Sequence, residues 1–151
     1  MIVVKNDNDI EIQKEIHKNL RAYNREKCKW IYDNESSIPS KDEKEYSNFV
    51  VYDDGNLIGG AIGFIEYEWY YLDKLWVSEK YRSKGIGTML INNIEEFAQK
   101  KLLVGIRMGT WNFQAKGFYE KMGYTVFGEI KDCPPNTIHY DLKKVINDNF
   151  K

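Results

Sequence analysis

Residues 75–90 read Leu75-Trp-Val-Ser-Glu-Lys-Tyr-Arg-Ser-Lys-Gly-Ile-Gly-Thr-Met-Leu90 and run from a strand through a polar turn into a helix. The aromatic and branched residues before the turn are typical of a β-strand. From Leu90 onward, apolar residues recur at positions 90, 94, 97 and 98, which is helical spacing. The turn carries two cations and two glycines, which are Arg82, Lys84, Gly85 and Gly87. The stretch therefore predicts a strand–turn–helix unit with a positively charged junction that contains glycine.

This junction has the features of an anion-binding site. A helix N-terminus presents unpaired N–H groups and the positive end of the helix dipole. Glycines let a ligand approach the backbone and the cations add charge, so phosphate or pyrophosphate is the best-suited ligand. The same residues are also consistent with a tight turn before a helix. Two nucleotide-binding fingerprints fit poorly, because Leu90 replaces the third glycine of the dinucleotide pattern and no P-loop Gly-Lys-Ser/Thr follows.

Length, composition and charge limit the classes of protein to which this chain can belong. With 151 residues, 42% of them hydrophobic and 15% aromatic, the chain can form one domain with a real core. A net charge of −1 argues against nucleic acid as a partner, and no apolar run approaches the roughly 18 residues of a membrane span. The charged N-terminus does not resemble a signal peptide, and Cys28 and Cys133 stand far apart, so we expect a cytoplasmic protein with reduced thiols. His17 and His139 are too few and too scattered to predict a metal site.

The periodicity predicts a mixed α/β (α+β) fold. In chain order we expect a strand at 2–4, a helix from an Asn8 or Asp9 cap to Tyr23, strands at 49–52, 57–65 and 71–77, a helix from 87 to about 101, a strand at 104–110, a helix at 114–122, and strands at 124–130 and 137–142. Residues 24–46, with the charge run Lys41–Glu45, are predicted to be irregular with a second short helix. The strand at 104–110 should pair in parallel with the strand at 71–77. The prediction is a mostly antiparallel sheet of about seven strands flanked by about four helices.

A second informative stretch, residues 112–124, reads Asn112-Phe-Gln-Ala-Lys-Gly-Phe-Tyr-Glu-Lys-Met-Gly-Tyr124. It predicts a short helix that packs Phe118 and Met122 into the core. Tyr119 neighbours Phe118 and cannot fully share its direction. Asn112 lies at the carboxyl end of a strand, where open α/β sheets bind ligands. Tyr119 and Asn112 are therefore candidate functional residues, and a packing role is the alternative for Tyr119.

The two stretches together resemble the motifs of the GNAT superfamily of N-acetyltransferases. Arg82-Ser-Lys-Gly-Ile-Gly87 resembles its Arg-x-x-Gly-x-Gly pyrophosphate loop, and residues 112–124 resemble its Asn-x-x-Ala-x-x-(apolar)-Tyr-x-x-x-Gly-(aromatic) motif. The resemblance covers residues 47–142 well and residues 1–46 by element order only. It implies a single N-acetyltransferase domain at 1–151, which transfers acetyl from acetyl-CoA (coenzyme A) to a primary amine by direct attack, without a metal.

The resemblance also implies a role for each motif residue. Backbone N–H groups of the loop would bind the pyrophosphate and its cations would add charge; the residues concerned are Arg82, Ser83, Lys84, Gly85, Ile86, Gly87 and Thr88. Leu75, Trp76 and Val77 would pair with the pantetheine amides. The Leu75 N–H would also donate to the acetyl carbonyl as an oxyanion donor. Tyr119 would donate a proton to the departing thiolate, and Asn112 would hydrogen-bond the pantetheine arm.

The attacking amine must be neutral, and a lysine-like amine has a pKa of about 10.4, so a base is expected. Glu66, Glu68 and Asp73 lie around the turn into the strand at 71–77. Strand alternation places four residues of that strand on one face, which are Tyr71, Asp73, Leu75 and Val77. Tyr71 stands where some members of the resembled family carry a glutamate base. Asp73 is the best single candidate for the base, and an exposed strand charge is the alternative.

Other interpretations stay open on the sequence alone. A non-catalytic acyl-CoA-binding regulator could share the scaffold, although it would not need Tyr119 as a proton donor. A nucleotide-binding module of another class would require the match to both motifs to be accidental. Cys28 or Cys133 could carry the acyl group, but neither has a nearby histidine in sequence. The acidic and aromatic run at residues 66–71 suggests a small cationic amine as the acceptor, a protein amine is the alternative, and a homodimer is allowed.

Overall fold

The structure of the protein, a computed structural model, describes residues 1–37 and 43–151. Its contacts divide the chain into two compact units, with the boundary after residue 39. A single domain across 1–151 therefore stays a prediction, and part of the charge run Lys41–Glu45 lies outside the described residues. Within the described ranges, no helix has both the length and the apolar character that crossing a membrane requires.

The N-terminal unit is helical. Helix α1, Ile10–Lys27, begins at the predicted cap Asp9, whose side chain accepts hydrogen bonds from two N–H groups of the first turn. Helix α2, Lys29–Asn34, and a 3₁₀ turn at Glu35–Ser37 follow, which confirms the predicted second short helix. The predicted strand at residues 2–4 is wrong. These residues pair with no strand in the part of the chain that the structure describes, and an isolated strand leaves its backbone groups unpaired.

The C-terminal unit is built on one sheet. Its strands are β1 (Phe49–Asp53), β2 (Asn56–Glu66), β3 (Trp69–Val77), β4 (Gly105–Trp111), β5 (Thr125–Lys131) and β6 (Ile138–Val145). Their spatial order is β1-β2-β3-β4-β6-β5, and every neighbouring pair is antiparallel except the predicted parallel pair β3 and β4. The described residues thus form six strands rather than about seven, and the missing strand is the one expected at residues 2–4.

Two further helices bring the described α-helices to the expected four. Helix α3, Ile86–Lys100, connects β3 to β4, and its fully buried side chains are Leu90, Ile91, Ile94 and Ala98. They pack in one core with buried residues of the sheet such as Tyr70 and Ile106. Burying each large aliphatic side chain contributes roughly 1.5–3 kcal/mol, so this stripe holds α3 on the sheet. Helix α4, Lys116–Lys121, is shorter than the expected 114–122.

A partly buried ionic network joins α3 to β6 and to the end of α4. The Lys144 ammonium lies 2.8 and 2.9 Å from the two carboxylate oxygens of Glu95 and donates to the Met122 carbonyl at 2.9 Å. The Tyr124 hydroxyl donates to the same carboxylate at 3.2 Å. Burial, with the neighbouring Glu95 charge, raises the pKa of Tyr124, so this hydroxyl stays a donor. Because only 28% and 17% of the Lys144 and Glu95 side chains are exposed, each charge depends on the other in place of water.

We expect Lys144→Ala to lower the free energy of unfolding by about 2–3 kcal/mol, because it leaves the half-buried Glu95 charge without a counter-charge and removes the side-chain donor to the Met122 carbonyl. Lys100→Ala is the matched control, since it removes an exposed i,i+4 pair with Glu96, which is worth about 0.3–0.5 kcal/mol. Denaturant unfolding of both variants measures the difference. Equal, small losses would show that the network adds nothing beyond a surface pair.

Candidate active site

The parallel pair β3–β4 opens along its length. Pairing joins Trp69–Leu72 to Gly105–Met108 and then stops, although β3 continues to Val77 and β4 to Trp111. The diverging ends border a cleft of about 1350 Å³. Its walls come from the ends of both strands, the loop before α3, the first turn of α3, and α4. This is the carboxyl end of parallel strands, where open α/β sheets place their ligands.

A β-bulge at Asp73 sets the direction of the β3 side chains beside the cleft. In the pairing with β2, Lys74 is opposite Ile62 and Leu72 is opposite Gly63, which leaves Asp73 without a partner. The extra residue reverses the alternation. The side chains that pack into the core are Tyr70 and Leu72 before the bulge, and Leu75 and Val77 after it.

The predicted common face of Tyr71, Asp73, Leu75 and Val77 is therefore wrong. Tyr71 lies on the opposite face from Leu75, where its ring packs 5.2 Å from the Phe64 ring and 5.0 Å from the Arg107 guanidinium. The physical reason is the bulge, because a residue inserted into one strand shifts every later side chain to the other face.

The same register fixes where the β3 backbone points. The Ser78 N–H donates to the Ile58 carbonyl at 2.8 Å. In an antiparallel pair only alternate residues form hydrogen bonds with the partner strand, so every second residue of β3, counted back from Ser78, bonds to β2. Leu75 and Val77 fall between these residues and direct their N–H and C=O groups away from β2, toward the cleft. The Arg82 Nε donates to the Val77 carbonyl at 3.2 Å from that side. Beyond the bulge, β3 thus offers an open backbone edge to a ligand in the cleft.

The loop before α3 ends in a left-handed glycine. Gly85 precedes the first turn of α3 with φ +85°, and no side chain caps the helix. Five residues of the predicted phosphate loop line the cleft beside Arg82, which are Ser83, Gly85, Ile86, Gly87 and Thr88. Lys84 does not line it, and its ammonium lies 5.3 Å from the Tyr81 ring. The uncapped N–H groups of α3 therefore face the cleft without a competing side chain.

Gly87 has a packing role that the sequence did not indicate. A Cβ at this position would lie 3.3 Å from the tip of the Phe118 ring, closer than most such contacts. Glycine at position 87 therefore lets α3 pack close to α4 at the cleft wall. It also leaves room for a ligand to approach the backbone.

Tyr119 lines the cleft from α4 and is 5% exposed. Its ring packs against Phe118 and Tyr124 at 5.2 and 6.0 Å between centroids. Burial raises the pKa of Tyr119 to about 12. Among the described residues its hydroxyl has no hydrogen-bond partner, and no buried side-chain oxygen is left unpartnered, so this hydroxyl reaches the open cleft. The tyrosine is a protonated, unengaged donor at neutral pH.

Asn112 does not line the cleft. Its side-chain carbonyl accepts from the Ile138 N–H at 3.1 Å, and its own N–H donates to the Ile138 carbonyl at 2.9 Å. These bonds secure the end of β4 to the start of β6, a partner that lies far away in sequence. The hydrogen bond to pantetheine expected of Asn112 stays a prediction, for which its amide Nδ2 is the available group.

The three carboxylates considered as bases are separated in the structure. Asp73 lines the cleft and pairs with Lys74, and this hydrogen bond raises the pKa of Lys74. Glu66 instead binds Arg107 at 2.8 Å. Glu68 forms part of the β2–β3 turn with φ +64°. Of the three, only Asp73 lies at the cleft.

Sequence reasoning missed an aromatic group at the end of β4. Trp111 and Phe113 line the cleft and stack with centroids 6.0 Å apart and planes 8° apart. The His139 ring meets Trp111 edge-on at 5.1 Å. Trp111 and Phe113 flank the candidate residue Asn112 in sequence, and this could have marked them as site residues. His139 could not be found in this way, because only the pairing of β4 with β6 brings it to them.

We expect the Tyr119 hydroxyl to ionise near pH 12, about two pH units above an ordinary tyrosine, because the charged phenolate loses its solvation in the cleft. NMR of ¹³Cζ-labelled tyrosine follows this, and Tyr119→Phe identifies the resonance. A Tyr119 resonance that titrates near pH 10 would contradict the burial of this side chain.

The comparison with known proteins agrees with this geometry. Residues 11–124 match the family model of the acetyltransferase (GNAT) family. Blasticidin-S acetyltransferase of Streptomyces morookaense is 35% identical over 100 residues, which are 66% of this chain and 74% of that protein. The crystal structure of an acetyltransferase from Bacillus cereus superposes with a TM-score of 0.70 at 28% identity, over 94% of this chain and 97% of that chain.

A further structure is similar in fold. It is assigned as a streptothricin acetyltransferase from Bacillus anthracis, in complex with acetyl coenzyme A. It has a TM-score of 0.62 at 21% identity, over 69% of this chain and 64% of that chain. The family match spans most of the chain and includes both sequence motifs and the opening between β3 and β4. The protein therefore belongs to the GNAT acetyltransferase family.

Proposed function

We propose that the protein is an N-acetyltransferase that moves the acetyl group of acetyl-CoA to a primary amine by direct attack. The observation that carries the proposal is the open edge of β3, where Leu75 and Val77 direct backbone groups into the cleft. A pantetheine arm carries amides that can pair with such an edge as a further strand would. The proposed setting is the cytoplasm, where Cys28 and Cys133, both free thiols, remain reduced.

The coenzyme is proposed to bind with its pyrophosphate at the start of α3. The uncapped N–H groups at Gly85–Thr88 and the positive end of the helix dipole suit this anion. Arg82 adds positive charge beside the Val77 carbonyl, and Lys84 contributes charge from outside the cleft, which favours the rate of association. The complex of acetyl coenzyme A with a protein of the same fold supports this choice of co-substrate.

The reaction proceeds through a tetrahedral intermediate. The amine nitrogen attacks the thioester carbon, a C–N bond forms, and the carbonyl oxygen becomes an oxyanion that the Leu75 N–H stabilises. The C–S bond then breaks, and Tyr119 donates a proton to the leaving thiolate. Asp73 supplies negative charge where the amine approaches and is the carboxylate candidate for accepting its proton.

The proposed acceptor is a small cationic amine. Asp73, Trp111 and Phe113 line the cleft, and carboxylates and aromatic rings both attract organic cations. Two of the similar proteins carry the names blasticidin-S acetyltransferase and streptothricin acetyltransferase, which supports a small-molecule acceptor. Blasticidin S is therefore the first acceptor to assay.

A non-catalytic acyl-CoA-binding regulator is the second candidate function. It would use the same open strand edge and helix start. The unengaged Tyr119 hydroxyl at the cleft favours the enzyme, because a binding module has no need of a proton donor there. Release of free coenzyme A thiol together with an amine acetylated on nitrogen separates the two.

Acetyl-CoA should raise the melting temperature by several degrees, whereas NAD and ATP should not. Ligand at 100 times its dissociation constant stabilises a fold by about 2.7 kcal/mol, and a protein of this size then melts noticeably higher. Thermal melting with each ligand at millimolar concentration is the measurement. No shift with acetyl-CoA would remove the proposed coenzyme site.

Two glycine variants provide a matched control for this experiment. Gly85 and Gly55 have φ of +85° and +81°, and a Cβ added at either position would meet no atom within 4 Å. Alanine at either site should therefore cost about 1–2 kcal/mol of stability through backbone strain alone. Only Gly85→Ala should also reduce the shift with acetyl-CoA, because relief of the strain moves the N–H groups at the start of α3.

Tyr119→Phe should lower kcat by about 100-fold, the low end of general acid catalysis, because a thiol of pKa about 8.5 leaves readily without help. The fold and the shift with acetyl-CoA should be retained, since the lost hydroxyl has no partner among the described residues. Thiol release with blasticidin S, or with the first amine that turns over, measures the rate. An unchanged kcat would leave Tyr119 as a packing residue.

A further inference from the structure

The His139 imidazole lies against Gly109 and Trp111, two residues of β4 that line the cleft, although His139 itself does not line it. His139 is on β6, opposite Trp111, and its ring leans over Gly109 two residues earlier on β4. A Cβ at Gly109 would lie 2.6 Å from both Cε1 and Nε2 of the ring, so only glycine leaves room for the imidazole there. Gly109 itself lines the cleft. The glycine thus lets a ring from the next strand reach the strand that borders the cleft.

The surroundings of His139 suit a group that gains a proton. Its Nδ1 lies 4.0 Å from an Asp141 carboxylate oxygen. Its Nε2 is on the side of the ring that covers Gly109. Trp111 holds the ring edge-on at 5.1 Å, and 24% of the His139 side chain is exposed. The Asp141 carboxylate therefore faces one ring nitrogen, and the other lies over Gly109, which lines the cleft.

Few other charges face this imidazole from the strands beside it. On β5, the residues opposite His139 and Asp141 are Ile130 and Gly128, which carry no charge. On β4, the charged residue of the same face is Arg107, and it is bound to Glu66 at 2.8 Å. Across the cleft, Asp73 is paired with Lys74. Asp141 is thus the charge that the structure places beside His139.

We propose that His139, backed by Asp141, accepts the proton of the acceptor amine directly, before the amine attacks. This inference rests on the proposed function and names the base that it leaves open. The ammonium gives a proton to Nε2, and the neutral amine forms the C–N bond to the thioester carbon. Loss of the C–S bond and of a second N–H proton yields the amide. Tyr119 protonates the thiolate and is reprotonated by that second proton, while His139 returns the first proton to solvent.

An NMR experiment tests the position of the ring without a known acceptor. S-acetonyl-coenzyme A places a methyl ketone where the acetyl group would lie but has no transferable acyl group. We expect a nuclear Overhauser effect between its methyl protons and the His139 ring protons. The chain has two histidines, so His17→Gln leaves His139 as the single source of imidazole signals.

The outcomes distinguish a failure of the role proposed for His139 from a failure of the proposed function. If S-acetonyl-coenzyme A binds, seen as a higher melting temperature, and no such effect appears, the role of His139 is overturned and the proposed function stands. If the analogue does not bind at all, the proposed coenzyme site fails, and the role of His139 fails with it.

Kinetics with the first amine that turns over, beginning with blasticidin S, test the chemistry. We expect His139→Gln to lower kcat by roughly 100-fold or more, with the KM for acetyl-CoA unchanged. In the unsubstituted protein the rate should fall at acid pH, because a protonated base cannot accept the proton, and this limb should vanish in His139→Gln. Added imidazole should restore part of the lost rate. His17→Gln, the matched control, should behave like the unsubstituted protein.

Asp73→Asn discriminates between the two candidate bases. If His139 is the base, Asp73→Asn should raise the KM for a cationic amine and keep the acid limb of the pH profile. If the limb instead disappears in Asp73→Asn and persists in His139→Gln, the base is Asp73 and the inference is wrong.

Discussion

The site depends on the point at which β3 and β4 stop pairing. Up to Leu72 and Met108 the two strands share hydrogen bonds, and beyond them β3 pairs only with β2 and β4 only with β6. An unpaired strand edge inside a sheet is costly unless a ligand, water or another chain satisfies its groups. The protein tolerates the opening because α3 and α4 are anchored beside it, by the stripe of buried residues on α3 and by the ionic network at Lys144.

The bulge at Asp73 makes that opening useful. Without the extra residue, Leu75 and Val77 would direct their side chains away from the core, and the β3 backbone beside the cleft would have the opposite register. With it, both side chains pack inward while their N–H and C=O groups face the cleft. One inserted residue therefore reconciles the packing of β3 on α3 with an exposed backbone edge on the same strand.

Tyr119 and His139 approach the cleft in different ways. Tyr119 is held by local structure, since its carbonyl accepts from the N–H groups of Met122 and Tyr124 at the end of α4. The ring of Tyr124 and the Lys144–Glu95 pair then support that end of the helix. His139 reaches the cleft through the register of β4 with β6 and the missing side chain of Gly109. Both positions rely on contacts between residues that are distant in sequence.

The amino-acid sequence was sufficient to predict the features that depend on neighbours along the chain. The glycines at 85 and 87, the Asp9 cap, the parallel crossover and the short helix that carries Tyr119 were all predictable, because turns, caps and helical periodicity are local. Tertiary structure decided the rest. In the folded chain the Asn112 side chain bonds to Ile138, and the bulge at Asp73 reverses the alternation of β3. Residues 2–4 do not form the expected strand, and the His139 ring lies over Gly109. Apart from the missing strand, each of these depends on the register between strands, which long-range packing fixes and a single sequence does not encode locally.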